Sequence, residues 1–198
     1  MGTVIVDIST SLDGYVTGPD AGPDNGLGTG GEGIHAWVYA AGSSPVDRQV
    51  LDDAFAASGA VVMGRNLYDV VTGPHGWTDE LGYGYDQDQS ARPPMFVVTH
   101  RHTGAPARPG FTLVGGLAAA IDAAREAAGD RDVVIMGGGD VCAQAIAAGL
   151  VDEVRLHLSP LLVGSGTPLF RGGPPARLRQ TGVLVSPHAT HLHYAVER

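Results

Sequence analysis

The stretch Val133-Val134-Ile135-Met136-Gly137-Gly138-Gly139-Asp140-Val141 constrains this chain more than any other. Four apolar residues run into three consecutive glycines, and a helical pattern starts at once. Glycine has no Cβ, so a ligand can approach the backbone closely and φ can be positive. Amides in the first turn of a helix lack an intrahelical acceptor and carry partial positive charge, which suits a phosphate. A strand, a glycine turn and a helix start in that order read as a seat for a dinucleotide or phosphate; the alternative is a tight turn with no ligand. The usual Gly-x-Gly-x-x-Gly does not occur at 137–142, and no Gly-Lys-Ser/Thr exists anywhere in the chain.

The rest of the chain alternates strand and helix patterns. Val4 to Ser9 reads as a buried first strand. Residues 17 to 33 hold seven glycines and two prolines, too long for an idle turn and therefore a functional or disordered loop. Ser44 and Pro45 form an N-cap and N1 pair for a helix that Gly59 closes. Ala60–Met63 is a second buried strand. Residues 72 to 94 form a Gly/Pro-rich surface excursion, with Trp77 as a contact or an anchor. Met95–Thr99 and Phe111–Val114 are strands. Leu117–Ala128 is an amphipathic helix before Gly129, with Leu117, Ile121, Ala124 and Ala128 on one face. After the glycine triplet a helix runs to about Ala148. Glu153–Leu162 alternates as a β segment, and Leu178–Val185 with His191–Val196 reads as a closing hairpin. The pattern predicts one α/β domain over residues 1–198, with a mixed, mostly parallel sheet flanked by helices and an antiparallel C-terminal edge.

Composition excludes several function classes. Net charge is −9 with only 12 Lys+Arg, which argues against a nucleic-acid partner. No apolar run approaches the ~20 residues of a membrane span. A single cysteine, Cys142, excludes an internal disulfide and suits a reducing cytoplasm; its apolar neighbours make it a packing residue. No signal-peptide pattern precedes the first strand, so a cytoplasmic location is expected.

Three strand ends carry polar or glycine punctuation: Gly64-Arg65-Asn66 after Met63, Thr99-His100-Arg101 after Val98, and Gly137-Gly138-Gly139 after Met136. Ligands in parallel α/β sheets bind at the carboxyl ends of strands. Arg65 and Arg101 are candidates for a ribose 2′-phosphate, which would favour NADP over NAD, since a guanidinium grips phosphate with a fork of donors. His188, His191 and His193 cluster near the C-terminus, but no acid or cysteine lies near them in sequence, and no metal is expected. Trp37 and Tyr39 either line a flat pocket or fill core.

Val62-Met63-Gly64-Arg65-Asn66-Leu67-Tyr68 and Ile135-Met136-Gly137-Gly138-Gly139-Asp140-Val141 resemble the two cofactor signatures of dihydrofolate reductase. Ile8-Ser9-Thr10-Ser11-Leu12-Asp13-Gly14-Tyr15-Val16 and Leu158-Ser159-Pro160-Leu161-Leu162-Val163-Gly164-Ser165-Gly166-Thr167-Pro168-Leu169-Phe170 resemble more closely the reductase domain of bacterial riboflavin biosynthesis. The chain looks like a stand-alone member of the dihydrofolate reductase-like group. The resemblance implies that group's three-layer fold and NADPH as cofactor. It places Gly64, Arg65 and Asn66 at the cofactor's phosphates and Thr99, His100 and Arg101 at its adenosine end. Gly137, Gly138, Gly139, Asp140 and Val141 would lie under the pyrophosphate, and Val16 and Thr17 beside the nicotinamide. Asp13 matches an aspartate that faces the substrate.

Where dihydrofolate reductase carries its pterin-holding acid, this chain has Ile34, with Glu32 and His35 as neighbours. No deaminase signature is present. The expected reaction is hydride transfer from NADPH to a small, heterocyclic C=N or C=O compound, as in 5-amino-6-(5-phosphoribosylamino)uracil reduction. Asp13, His35 and Glu32 are the catalytic candidates; His35 has an ordinary pKa near ~6.5 that suits proton transfer, and Asp13 could act through water. Dihydrofolate reduction and non-catalytic NADP(H) binding are the alternatives. A homodimer is expected, through the apolar surface of the late β pattern at 153–162.

Overall fold

The computed structural model describes residues 2–100 and 107–197. The chain opens with β1 (Val4–Ser11) and the short β2 (Tyr15–Thr17). Past the glycine-rich loop come a 3-10 turn at Glu32–His35, a one-turn α1 (Ala36–Tyr39) and α2 (Pro45–Ala57). Next are β3 (Ser58–Gly64), α3 (Arg65–Val71), β4 (Met95–Val98), β5 (Phe111–Val114) and α4 (Leu117–Ala128). Then follow β6 (Asp132–Gly137), α5 (Gly139–Ala147), β7 (Glu153–Ser159), β8 (Thr167–Pro168), β9 (Arg177–Val185) and β10 (Thr190–Glu197). Eight strands share one sheet in the order β5-β4-β3-β6-β1-β7-β10-β9. Pairing is parallel from β5 through β7 and antiparallel at β7–β10–β9. β2 and β8 form a separate antiparallel pair.

Strand alternation divides the core into two layers. Val4, Val6 and Ile8 of β1 face α4 and α5, packing with Val62, Ile135, Ile121, Ala124, Cys142 and Ala145. Burying a side chain such as Ile121 stabilises by roughly 1.5–3 kcal/mol. On the opposite face Val61, Met63, Met95 and Val97 pack against Tyr68 and Val71 of α3, with Phe55 of α2 beside them. Helices thus cover both faces of the sheet. Among the described residues, no helix is long and apolar enough to cross a membrane.

Several element ends differ from the sequence expectation. Ser44 caps α2 as expected, its hydroxyl accepting from the Asp47 amide, but Gly59 does not close the helix. α2 stops at Ala57 because Ser58 takes an extended backbone and already belongs to β3. Gly59 is buried within that strand, where an added Cβ would press on Ala128 and Arg131 of the neighbouring layer. The excursion at 72–94 is not all surface: Tyr83 turns inward and its hydroxyl meets Ser58 Oγ at 2.6 Å. Trp77 is an anchor, packing partly buried against the Val61–Met63 layer. The glycine-rich loop folds back on itself through Gly18 N–H to Leu27 O (2.7 Å) and Thr29 N–H to Pro19 O (2.9 Å).

The dimer surface expected at 153–162 has no free strand edge over its β7 part, while Leu162 beyond β7 is exposed. β7 lies inside the sheet, hydrogen-bonded to β1 on one side and β10 on the other. The exposed edge is β9, where Leu178, Val183, Leu184 and Val185 are 40–66% exposed.

Candidate active site

The parallel register brings the punctuated strand ends together. Gly64 pairs with Val98 on one side, and Met63 with Gly137 on the other. The loops after β3, β4 and β6 therefore open on one rim of the sheet. Gly137 has φ +131°, a region that side chains avoid, and the Gly137–Gly138 peptide is cis. Gly138 is the N-cap of α5 with no side-chain hydrogen bond, and a Cβ added there would point into open space. Gly139 is closed over: its Cβ would lie 3.1 Å from Val16 Cγ2 and from Pro168 O. Val141 packs partly buried in the core, 2.8 Å from where a Cβ of Gly64 would stand, so it holds α5 against β3. Asp140 is exposed in the first turn of α5, with Arg171 Nε at 3.5 Å.

Arg65 begins α3. Its Nε donates to Asp69 Oδ1 at 2.7 Å, its guanidinium lies 5.4 Å from the Tyr68 ring centre, and its buried Nη1 has no hydrogen-bond partner. Asn66 is exposed on the same turn. Thr99 is buried, its amide donating to Val114 O at 2.9 Å, and His100 is exposed. Arg101 lies outside the described residues.

Beside this rim, β2 places Val16 inward and leaves Thr17 Oγ1 buried without a partner. The orphaned Arg65 Nη1, the orphaned Thr17 Oγ1 and the open space over Gly138 together fit a phosphorylated dinucleotide such as NADPH: a donor for phosphate, a polar anchor and room at the N-terminus of α5.

The residues expected to catalyse behave differently from one another. Asp13 is exposed, yet it accepts from Ser11 Oγ (2.6 Å), Gly164 N–H (2.7 Å) and Val163 N–H (3.1 Å). The Ser11 hydroxyl, with the two amides, holds its carboxyl below the usual range. Asp13 is therefore an ionised clasp between the β1–β2 turn and the loop before β8; the Leu12 amide adds a bond to Leu161 O. Burial, with His157 nearby, pulls His35 down to about 4, so its ring is neutral at neutral pH and is no general acid there. Glu32 is exposed in the first turn of the 3-10 segment. Ile34 is fully buried, and its carbonyl accepts from Ser159 Oγ at 2.7 Å.

Sequence reasoning missed a polar wedge beside these residues. Asp7 Oδ1 meets His157 Nε2 at 2.9 Å, His157 Nδ1 meets His191 Nδ1 at 2.7 Å, and His191 Nε2 meets Asp47 Oδ1 at 2.9 Å. The Trp37 ring lies against both imidazoles, at 4.5 and 5.0 Å between centres, and its indole N–H donates to Ser9 Oγ at 2.9 Å. Trp37 is thus core, while Tyr39 is exposed. His191 is committed to this wedge rather than to a cluster with His188 and His193. The available signal was Asp7, Ser9 and Ser11 at alternate positions of a strand that opens Val4-Ile5-Val6, a polar stripe aimed into the interior.

The family model for the RibD C-terminal domain matches residues 2–192. This chain belongs to that family. No curated protein matches it. Among solved structures, a protein from Shewanella sp. PV-4 described as a putative riboflavin biosynthesis protein is 25% identical with a TM-score of 0.68, covering 99% of both chains. A pyrimidine reductase-like protein from Corynebacterium diphtheriae is 18% identical, with a TM-score of 0.61 over 100% of this chain and 92% of its own. A Thermotoga maritima diaminohydroxyphosphoribosylaminopyrimidine deaminase/5-amino-6-(5-phosphoribosylamino)uracil reductase is 14% identical, with a TM-score of 0.63. This chain spans only 56% of that protein, and 59% of Acinetobacter baumannii RibD. The likeness to the structures at 18% and 14% identity is one of fold, and the oxidoreductase class is supported by membership in the RibD C-terminal domain family.

Proposed function

We propose that this chain is an NADPH-dependent reductase acting on a small, heterocyclic C=N or C=O compound of the aminopyrimidine kind. The observation that carries the reading is the rim: the start of α5 after three glycines with no side-chain cap, open space over Gly138, and Arg65 Nη1 buried without a partner. Membership in the RibD C-terminal domain family supports the reaction type.

When bound, NADPH supplies the hydride. The chain's own residues bind and orient. The Gly139 and Asp140 amides and the α5 dipole favour the diphosphate. Arg65, braced by Asp69, offers its free Nη1 to a phosphate. Thr17 Oγ1 and Val16 fix the nicotinamide end, and the β2–β8 pair excludes water. Asp13 stays ionised and fastens the loop that closes over the substrate side. Neither Asp13 nor His35 holds a transferable proton at neutral pH, so in this reading the proton that accompanies hydride is drawn from water. The buried Ile34 argues against a folate substrate.

Calorimetry with NADPH and NADH tests binding, and loss of NADPH absorbance with the ribosylated aminopyrimidine, its phosphate and dihydrofolate tests turnover. NADPH binding at least tenfold tighter than NADH, with turnover of an aminopyrimidine, supports the reading. No binding at saturation overturns it; binding without turnover of any substrate makes the chain a nucleotide-binding protein. Gly138→Ala weakens NADPH while leaving thermal stability close to wild type.

Self-association belongs to the same reading, with a second copy pairing at the β9 edge. The outer backbone of this strand is the end of the sheet, its apolar side chains are exposed, and such edges favour strand addition. A dimer by sedimentation that Val183→Lys reduces to monomer supports it; a wild-type monomer overturns it.

A further inference from the structure

Asp7, His157, His191 and Asp47 come from β1, β7, β10 and α2, and three hydrogen bonds join them into one chain. His157 and the Asp47–His191 pair are almost entirely withdrawn from water; Asp7 retains 18% of its side-chain exposure. The proton count follows from the geometry. Burial opposes ionisation of Asp7, but the charge and hydrogen bond of His157 outweigh it, and its carboxyl lies below the ordinary range. Burial likewise opposes ionisation of Asp47, while the Ser44 and Ser186 hydroxyls and His191 outweigh it. Both carboxylates therefore accept, and each Nε2 facing one must carry a proton. The two Nδ1 atoms lie 2.7 Å apart, a separation that requires a proton between them. Three N–H protons are needed, and two neutral imidazoles carry only two.

We infer that the Asp7–His157–His191–Asp47 chain holds one proton more than two neutral imidazoles, making a buried clamp of two carboxylates and one shared imidazolium proton that sets the position of Trp37 and the Glu32–Tyr39 segment. The Trp37 face lies within 6 Å of both rings, where an aromatic face stabilises a cation. The second proton is refused: desolvation, then a charge on His157, pulls His191 down.

Other charged groups face the clamp from each packed element. Arg155 of β7 and His193 of β10 act on Asp7, and Glu153 acts on His193. Tyr83, from the excursion, is raised chiefly by burial and then by Asp7. His35, on the 3-10 turn, is held neutral by burial and by His157. Raising the pH withdraws the shared proton, sets two nitrogen lone pairs against each other and releases Trp37.

The test does not depend on NADPH or substrate. Proton and nitrogen NMR of the histidine rings at neutral pH is expected to show three N–H protons across His157 and His191, one of them strongly deshielded and coupled to both rings. Two N–H protons, one per ring, overturn the clamp. In a Trp77→Phe background, Trp37 fluorescence is expected to follow a one-proton transition as pH rises, absent in His157→Gln. A wild-type profile without that transition, or one unchanged in His157→Gln, overturns the link to Trp37. If His157→Gln does not fold, the wild-type NMR count and wild-type fluorescence profile decide.

Discussion

The rim after β3, β4 and β6 and the wedge around His157 are two polar regions built in opposite ways. The rim is made of backbone: glycines, first-turn amides and one braced arginine, with open space over Gly138 and the Arg65 Nη1 buried without a partner. The wedge is made of side chains joined end to end by three hydrogen bonds, with only Asp47 Oδ2 of the carboxyl facing His191 left buried without a partner. Unsatisfied polar atoms near a surface await a ligand, whereas satisfied ones in the interior specify packing. The difference teaches that binding affinity and fold stability reside in separate parts of this molecule, and substitutions should separate them.

The largest effect falls on the wedge. His191→Leu leaves Asp47 buried without its imidazole, and breaking such a pair costs about 3–5 kcal/mol. Urea denaturation should show that loss, while the fraction that still folds binds NADPH with wild-type affinity. A large affinity change with unchanged stability would break the division.

Arg65→Gln is the reciprocal case. A hydrogen bond to a charged phosphate contributes about 1.5–3 kcal/mol, so the NADPH dissociation constant should rise roughly 10–100-fold. Stability should fall by less than about 1 kcal/mol, because the Arg65–Asp69 pair is partly exposed. Equal losses for NADH and NADPH would remove Arg65 from the 2′-phosphate.

Acid sharpens the contrast. His35 titrates near ~6.5 in the unfolded chain but at about 4 when folded, so unfolding takes up a proton between those values. Its contribution is fully present above pH ~6.5 and is lost as pH falls toward 4, on the order of 3 kcal/mol. Denaturation midpoints should drop across that window, and His35→Gln should flatten the drop. The smallest effect is local. Asp13→Asn weakens the clasp on Val163 and Gly164, and hydrogen exchange should quicken at those two amides with little change in global stability.

Much of the architecture was legible because its determinants are local. Leu117–Ala128 has its apolar residues at helical spacing and ends where the structure ends it. The strands at Val4, Met95 and Phe111 follow their β-rich runs, and the hairpin of β9 and β10 was evident from two β patterns with no helix between them. Gly59 misled because a glycine after a helix signals a cap only when the chain turns there; here Ser58 had already entered the sheet. Residues 153–162 misled because alternation marks one buried face without telling which strands will flank it. His35 was chosen for its ordinary pKa, and burial removed the property that recommended it.

By itself the sequence determined the cradle: Val133–Met136, the three glycines and the helix after them are contiguous, and short-range sterics and hydrogen bonding force that strand–turn–helix wherever it is placed. Tertiary structure alone decided the wedge. Asp7 and His157 stand 150 residues apart, Asp47 and His191 144 apart, and the two histidines 34 apart. Only the register of β1, β7 and β10, closed by α2, brings their polar atoms within hydrogen-bond reach, because a buried charge is tolerated only where a distant partner arrives to meet it.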